Sequence, residues 1–144
     1  MISSQSVSLY VPNEPTVIAE LSEIESAANE VAVHNQSQWN QVEMRSSVRT
    51  PYPNLVGLTP LQNESLRDMG EPFYVVGKRI GLGGIDFFHN EKIEFHYALA
   101  SFERCENDLV HFILKISHCK FRRPGWYESG GRFVKLVQYD TGEE

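Results

Sequence analysis

Between residues 54 and 137 the chain breaks into short apolar-rich runs separated by turn signals, and this rhythm restricts the fold more than any other feature of the sequence. The runs are "NLVGLTPL", "PFYVVGKRI", "GIDFFH", "EFHYALASFE", "LVHFILKISHCKF" and "WYESGGRFVKLV". They are rich in β-branched and aromatic residues, and several alternate with a period of two, as half-buried strands do. The clearest places Val110, Phe112, Leu114 and Ile116 on one face and His111, Ile113, Lys115 and Ser117 on the other. "HNEK", "CENDL" and "RRPG" are too short for crossover helices, so they are expected to be hairpin connections between antiparallel strands. Six such strands predict a small barrel, because closure is how an antiparallel sheet of this size removes its edges.

The 144 residues allow one domain with a real core plus an appended segment. Charged residues at 22% and hydrophobic residues at 41% give the balance of a globular protein. A net charge of -6 provides no basic footprint for a nucleic acid polymer or an anionic membrane, so any anion site must be local. The opening "MISSQSVSLYVPNEP" has neither the basic nor the apolar region of a leader, no run is long enough to span a membrane, and the expected address is the cytoplasm. Cys105 and Cys119 form no CxxC pair and suit a reducing compartment, with a single bridge between them left open.

Ahead of the strands, Val17, Leu21, Ile24, Ala28 and Val31 step by four, three, four and three, which predicts a helix with a narrow apolar seam. Asn13 is its expected cap, Pro15 lies in the first turn, and Glu14, Glu20 and Glu23 favour the positive end of the helix dipole. Such a seam packs either on its own domain or on a second copy, giving a homodimer through the N-terminal helix. "HNQSQWNQVEM" is then a frayed end or linker, and Thr50, preceding Pro51, must leave the helical region. The expected division is a helical extension and linker over 1–44, the barrel over 45–138 and a tail over 139–144.

The stretch "MRSSVRTPYP" puts Arg45 and Arg49 on one side of the chain at the junction between these parts, a fork suited to a planar or anionic ligand. Further on, "GKRIGLGGID" contains glycines able to take up positive φ and bring backbone N–H groups near an anion. It lacks the GxGxxG spacing and the P-loop lysine, and a strand follows it where a dinucleotide site needs a helix. His34, His89, His96, His111 and His118 show no metal-ligand spacing with the cysteines, and neither thiol has a catalytic setting. Arg122 and Arg123 in "FRRPGW" are expected at a solvated hairpin, and Phe73, Tyr74, Phe87, Phe88 and Phe112 in the core or on the barrel surface.

Together, the arginine pair, the glycine turn and the six strands resemble the PilZ domain family, whose members are six-stranded antiparallel β-barrels, many of them binding cyclic di-GMP. The resemblance runs from about Arg45 to Val137. Arg45 and Arg49 match the family's RxxxR motif. "RIGLGGI" lies where the family has D/N-x-S-x-x-G, with Gly84 at the glycine position, Arg79 at the Asp/Asn position and Gly81 at the Ser position. "GWYESGGRF" is similar to the closing strand through Tyr127, Gly131 and Phe133. The resemblance implies an all-β fold with an N-terminal helix and a cyclic di-GMP site of Arg45, Arg49, Arg79, Gly81, Gly83 and Gly84. Arg79 can only donate hydrogen bonds, so it would meet phosphate or the guanine O6 and N7 edge, and Asp86 is either an ordinary outward-facing strand residue or a substitute acceptor. The implied protein is a non-catalytic bacterial second-messenger receptor with no cofactor, no metal and a protein partner to be identified. The alternative is a degenerate barrel that binds no nucleotide and serves as a protein-interaction module.

Overall fold

The computed structural model describes residues 15–36, 49–67, 69–105 and 108–139. Arg45, Asn13, Glu14 and Trp39 lie outside them. In chain order the elements are β1 (Thr16–Ile18), α1 (Leu21–Gln36), β2 (Thr50–Pro51), β3 (Leu55–Leu61), β4 (Phe73–Ile80), β5 (Gly84–His89), β6 (Tyr97–Cys105), β7 (Asp108–Arg123) and β8 (Trp126–Gln138).

Strands β3 to β8 are all antiparallel, and their order β8-β5-β4-β3-β6-β7 is closed by a β7–β8 ladder, so they form a six-stranded barrel. β1 and β2 are short additions, one on β8 and one on β4. The β6–β7 and β7–β8 connections are the hairpins that "CENDL" and "RRPG" predict. "HNEK" is not one. Both edges of β5 are taken, by β4 and β8, so the chain must cross to the far side of β3 before β6 can pair. Residues 90–96 make that crossing and bury Ile93, while Phe95 meets Phe73 edge to face with centroids 6.2 Å apart.

The inward alternation of Val110, Phe112 and Leu114 holds, and these residues join Val56, Leu58, Val75, Ile80, Ile85, Phe87, Phe102 and Phe133 in one core. Ile113, expected on the other face, is nonetheless fully buried. It belongs to a second small cluster with Leu61, Leu99 and Val137, which Leu66 of the β3–β4 loop covers.

The helix starts later than its seam predicts. Val17 lies in β1, where Thr16, Val17 and Ile18 pair with Gln138, Val137 and Leu136, and three consecutive β-branched residues favour this strand over a first helical turn. Glu20 supplies the first acceptor, its carbonyl taking the N–H groups of Glu23 and Ile24 at 3.1 Å. Ile24, Ala27, Ala28, Val31 and Ala32 are buried against the barrel, so this part of the seam packs within the chain, while Val17 and Leu21 stay exposed. Arg104 fastens the helix to the sheet by an ion pair to Glu30 at 3.3 Å and one to Asp108 at 2.9 Å. Cys119 is a free thiol packed against the core, and the Cys105 side chain lies outside those described. Among the described residues no helix is long and apolar enough to cross a membrane.

Candidate functional site

The glycine run is the turn of the β4–β5 hairpin, where the Gly81 N–H donates to the Gly84 carbonyl at 2.9 Å. The next cross-strand pairs are Ile80 with Ile85 and Arg79 with Asp86. Since both isoleucines are buried in the core, alternation puts Arg79 and Asp86 on the outer face. On β8, Asp86 opposes Gly130, and Gly130 in turn opposes His118 on β7. One row of the barrel surface therefore carries Arg79, Asp86, Gly130 and His118 across four strands. A Cβ on Gly130 would stand 2.5 Å from Asp86 Oδ1 and 2.6 Å from His118 Cε1, so only glycine leaves room for both side chains. Gly84 opposes Arg132, and a Cβ there would lie 2.1 Å from the Gly131 carbonyl oxygen, so the two backbones approach at this point as closely as glycine permits. The run does not supply an anion nest of positive-φ glycines. Among the described glycines the positive φ belongs to Gly125, at 84°, in the β7–β8 turn.

Arg49 reaches this row because the segment after it is laid onto β4. Thr50 pairs with Ile80 and Pro51 with Arg79, and the Tyr52 N–H donates to the Lys78 carbonyl at 3.0 Å. Gly77 lets this happen, since a Cβ there would be 2.3 Å from the Tyr52 carbonyl oxygen. The Tyr52 ring is buried edge to face on Phe102, at 5.8 Å. At the C-terminal end of α1, Asn35 Oδ1 accepts from Asn54 Nδ2 at 2.6 Å, and its amide donates to the Pro51 carbonyl at 3.3 Å. The junction is thus clamped between helix and barrel, and Arg49 Nη1 stands 3.3 Å from Asp86 Oδ2.

Of the residues the sequence singles out, Arg49, Arg79, Gly84 and Asp86 come together. Gly81 is buried in the turn and Gly83 projects to solvent with nothing within 4 Å of its Cβ position. Arg45 lies outside the described residues. Sequence reasoning missed Arg132 and His118. His118 belongs to the row, and Arg132 lies two residues along β8 from it opposite Gly84, both only through β7–β8–β5 register, and neither has a motif of its own. Exposed Arg79 and Arg132 and half-exposed Arg49 make this end of the barrel locally cationic in an acidic protein.

Two residues along the strands lies a second charged group. Glu128, buried on β8, accepts from Lys78 Nζ at 2.9 Å and from Arg122 Nε at 2.9 Å, so Arg122 is not merely solvated. The hydrogen bond from Lys78, with that from Arg122, outweighs burial and holds the Glu128 carboxyl down at about 2. Its value in the unfolded chain is about 4.3, so between the two the unfolded state binds more protons. The stabilisation is complete above that unfolded value and is lost as pH falls toward 2. Because Arg122 is half exposed, the expected contribution is about 1–2 kcal/mol. Urea midpoints of the wild type should drop more steeply below pH 5 than those of Glu128→Gln, and parallel profiles would refute the assignment.

Inside the barrel, His89 Nδ1 lies 2.7 Å from the Glu91 carbonyl and must carry the proton, leaving Nε2 to accept from the Ser129 hydroxyl at 2.6 Å. Burial lowers the His89 pKa, which keeps the ring neutral. Ser129 is wholly buried and cannot meet a substrate, so the pair is a satisfied core contact. Among the described residues no three His, Cys, Asp or Glu side chains gather as a metal site needs.

No protein-family profile matches the chain, and no curated protein matches it. Among solved structures the chain is similar to MrkH, described as a novel c-di-GMP-dependent transcription regulatory factor, with a TM-score of 0.49 and 9% sequence identity. The superposition covers 90% of this chain and 43% of MrkH, so the chain spans less than half the length of that protein.

Proposed function

We propose that the chain is a PilZ-type, non-catalytic receptor domain for cyclic di-GMP, working in the bacterial cytoplasm. The observation that carries this reading is the meeting of Arg49 with the β4–β5 glycine turn, through Asp86 at 3.3 Å. In the proposed complex a ligand phosphate displaces Asp86 from the Arg49 guanidinium, and Arg45 and Arg79 add planar donors for phosphate oxygens or guanine O6 and N7. The released Asp86 carboxylate then accepts from the guanine N1–H and amino group. Of the three turn glycines, Gly83 is open to solvent and lets the ligand approach the backbone, whereas Gly81 is buried and Gly84 is backed by Gly131. Because Asn35 bonds to both Pro51 and Asn54, movement at Arg49 is passed to α1, where a protein partner reads it.

Calorimetric titration with cyclic di-GMP tests this. Arg49→Ala should weaken binding by about 1.5–3 kcal/mol, and Arg49→Lys should restore only part of the loss, since an ammonium lacks the planar fork. Unchanged affinity in Arg49→Ala would remove Arg49 from the site. Arg79→Asp decides the role of the altered motif: weaker binding makes Arg79 a working cation, and stronger binding makes it a damaged acceptor position.

A second reading, an interaction module that binds no nucleotide, is favoured by a different observation. Leu55, Tyr74 and Val76 form an exposed apolar patch on neighbouring strands β3 and β4. Failure of the folded wild type and of Arg79→Asp to bind cyclic di-GMP at about 1 mM, a free energy of about 4 kcal/mol, would establish that reading over the first.

A further inference from the structure

Beside the row just described, the outer face of β4, β5 and the β7–β8 hairpin holds a groove of about 520 Å³ lined by Lys78, Phe88, Arg122, Arg123, Trp126 and Glu128. We propose that this groove is a separate binding site for a nucleobase carrying a phosphate, independent of the cyclic di-GMP reading. The lining has the three components such a ligand needs. Trp126 is an exposed aromatic surface on which a flat base can stack, and half-buried Phe88 lines the groove beneath the Lys78 ammonium. Lys78, Arg122 and Arg123 bring three positive charges against the single carboxylate of Glu128. Two of these cations are already held in place by Glu128, through its bonds to Lys78 and Arg122 at 2.9 Å, and the Lys78 ammonium sits 5.5 Å from the Phe88 ring centroid. The groove is therefore largely pre-ordered.

Glu128 also supplies an acceptor. Each carboxylate oxygen can take two donors: Oε1 already takes both Nε and Nη2 of Arg122, whereas Oε2 takes Lys78 alone, so Oε2 keeps capacity for one exocyclic amino group of a base. Its low pKa keeps that acceptor ionised. Arg123 is exposed on the hairpin tip beside Pro124 and Gly125 and pairs across the turn with Trp126, which puts a guanidinium at the end of the aromatic wall where a phosphate would project. A polyanion such as a long nucleic acid is disfavoured by the chain's overall net charge of -6, whereas one small nucleotide meets only the local surplus of cations.

The test uses the full chain with Trp39→Phe, which leaves Trp126 as its tryptophan, and follows fluorescence during titration with adenosine 5′-monophosphate, adenosine and inorganic phosphate. Saturable quenching by the monophosphate is expected with half-saturation below about 1 mM, with adenosine and phosphate each at least about tenfold weaker, since stacking and charge pairing act together. Arg123→Ala should weaken monophosphate binding about tenfold without changing the melting temperature, and Arg49→Ala should leave it within about twofold. Absence of saturable quenching overturns the proposal. So does phosphate binding as tightly as the monophosphate, which would reduce the groove to a patch of cations, and so does loss of the signal in Arg49→Ala, which would place the nucleotide in the other row.

Discussion

Phe102→Ala should lower the stability of the barrel by about 3–5 kcal/mol, the largest loss expected from any single truncation here. Phe102 is 1% exposed and stands edge to face with three rings, Tyr52 at 5.8 Å, Phe112 at 5.6 Å and Phe133 at 5.8 Å. Phe112 and Phe133 are themselves stacked at 4.3 Å, so the four rings form a cluster joining β6, β7 and β8 to the arm that carries Arg49. Removing the central ring forfeits its transfer free energy and leaves a cavity that stiff, closed strands cannot collapse to fill. Urea unfolding of wild type and variant measures the difference. A loss below about 1 kcal/mol would mean the cluster is far looser than these distances require.

Gly77→Ala should cost about 2–3 kcal/mol, although it adds a single methyl group. The new Cβ would lie 2.3 Å from the Tyr52 carbonyl oxygen and 2.8 Å from Tyr52 Cδ2. Backbone cannot yield as the end of a flexible side chain does, so residues 52–54 must lift from β4. The Tyr52 N–H bond to Lys78 and the Gly77 N–H bond to Asn54 at 2.8 Å would break with them. Tyr52 gives a direct signal of this movement. Burial raises its phenol pKa in the native protein, and spectrophotometric titration of the variant should show that value fall back toward 10. On the proposed function, cyclic di-GMP binding should weaken in parallel, because Arg49 is placed by the same segment. Gly83→Ala is the control: its Cβ position has open space, and a change within about 0.5 kcal/mol is expected. Equal stability of both variants would show that the arm is not held at Gly77.

Much of the barrel was legible because its signals are local. "GIDFFH" is β5 residue for residue, and the alternation through Val110, Phe112 and Leu114 faces the core as its period of two requires. Turn chemistry identified the "RRPG" hairpin, where Gly125 takes the positive φ that other residues resist. The failures occurred where a local pattern fitted two structures. Val17 keeps helical spacing with Leu21, yet a free edge of β8 was within reach of three β-branched residues and took them as a strand. "HNEK" has the composition of a tight turn, but whether a turn joins neighbours depends on which edges of the sheet are already paired.

The sequence by itself determined the six barrel strands, the antiparallel closed sheet, the helix from Leu21 onward and the order of Arg49 before the glycine turn, all consequences of periodicity and backbone restriction that act within a few residues. Only the tertiary structure decided that Arg49 meets Asp86, that Gly77 seats the arm, that Arg132 and His118 share a surface with Arg79, and that Glu128 gathers Lys78 and Arg122. Each of these depends on cross-strand register. A shift of one residue in β8 would turn Glu128 inward and Ser129 outward, and the energy that forbids it comes from the burial of the whole strand rather than from any motif within it.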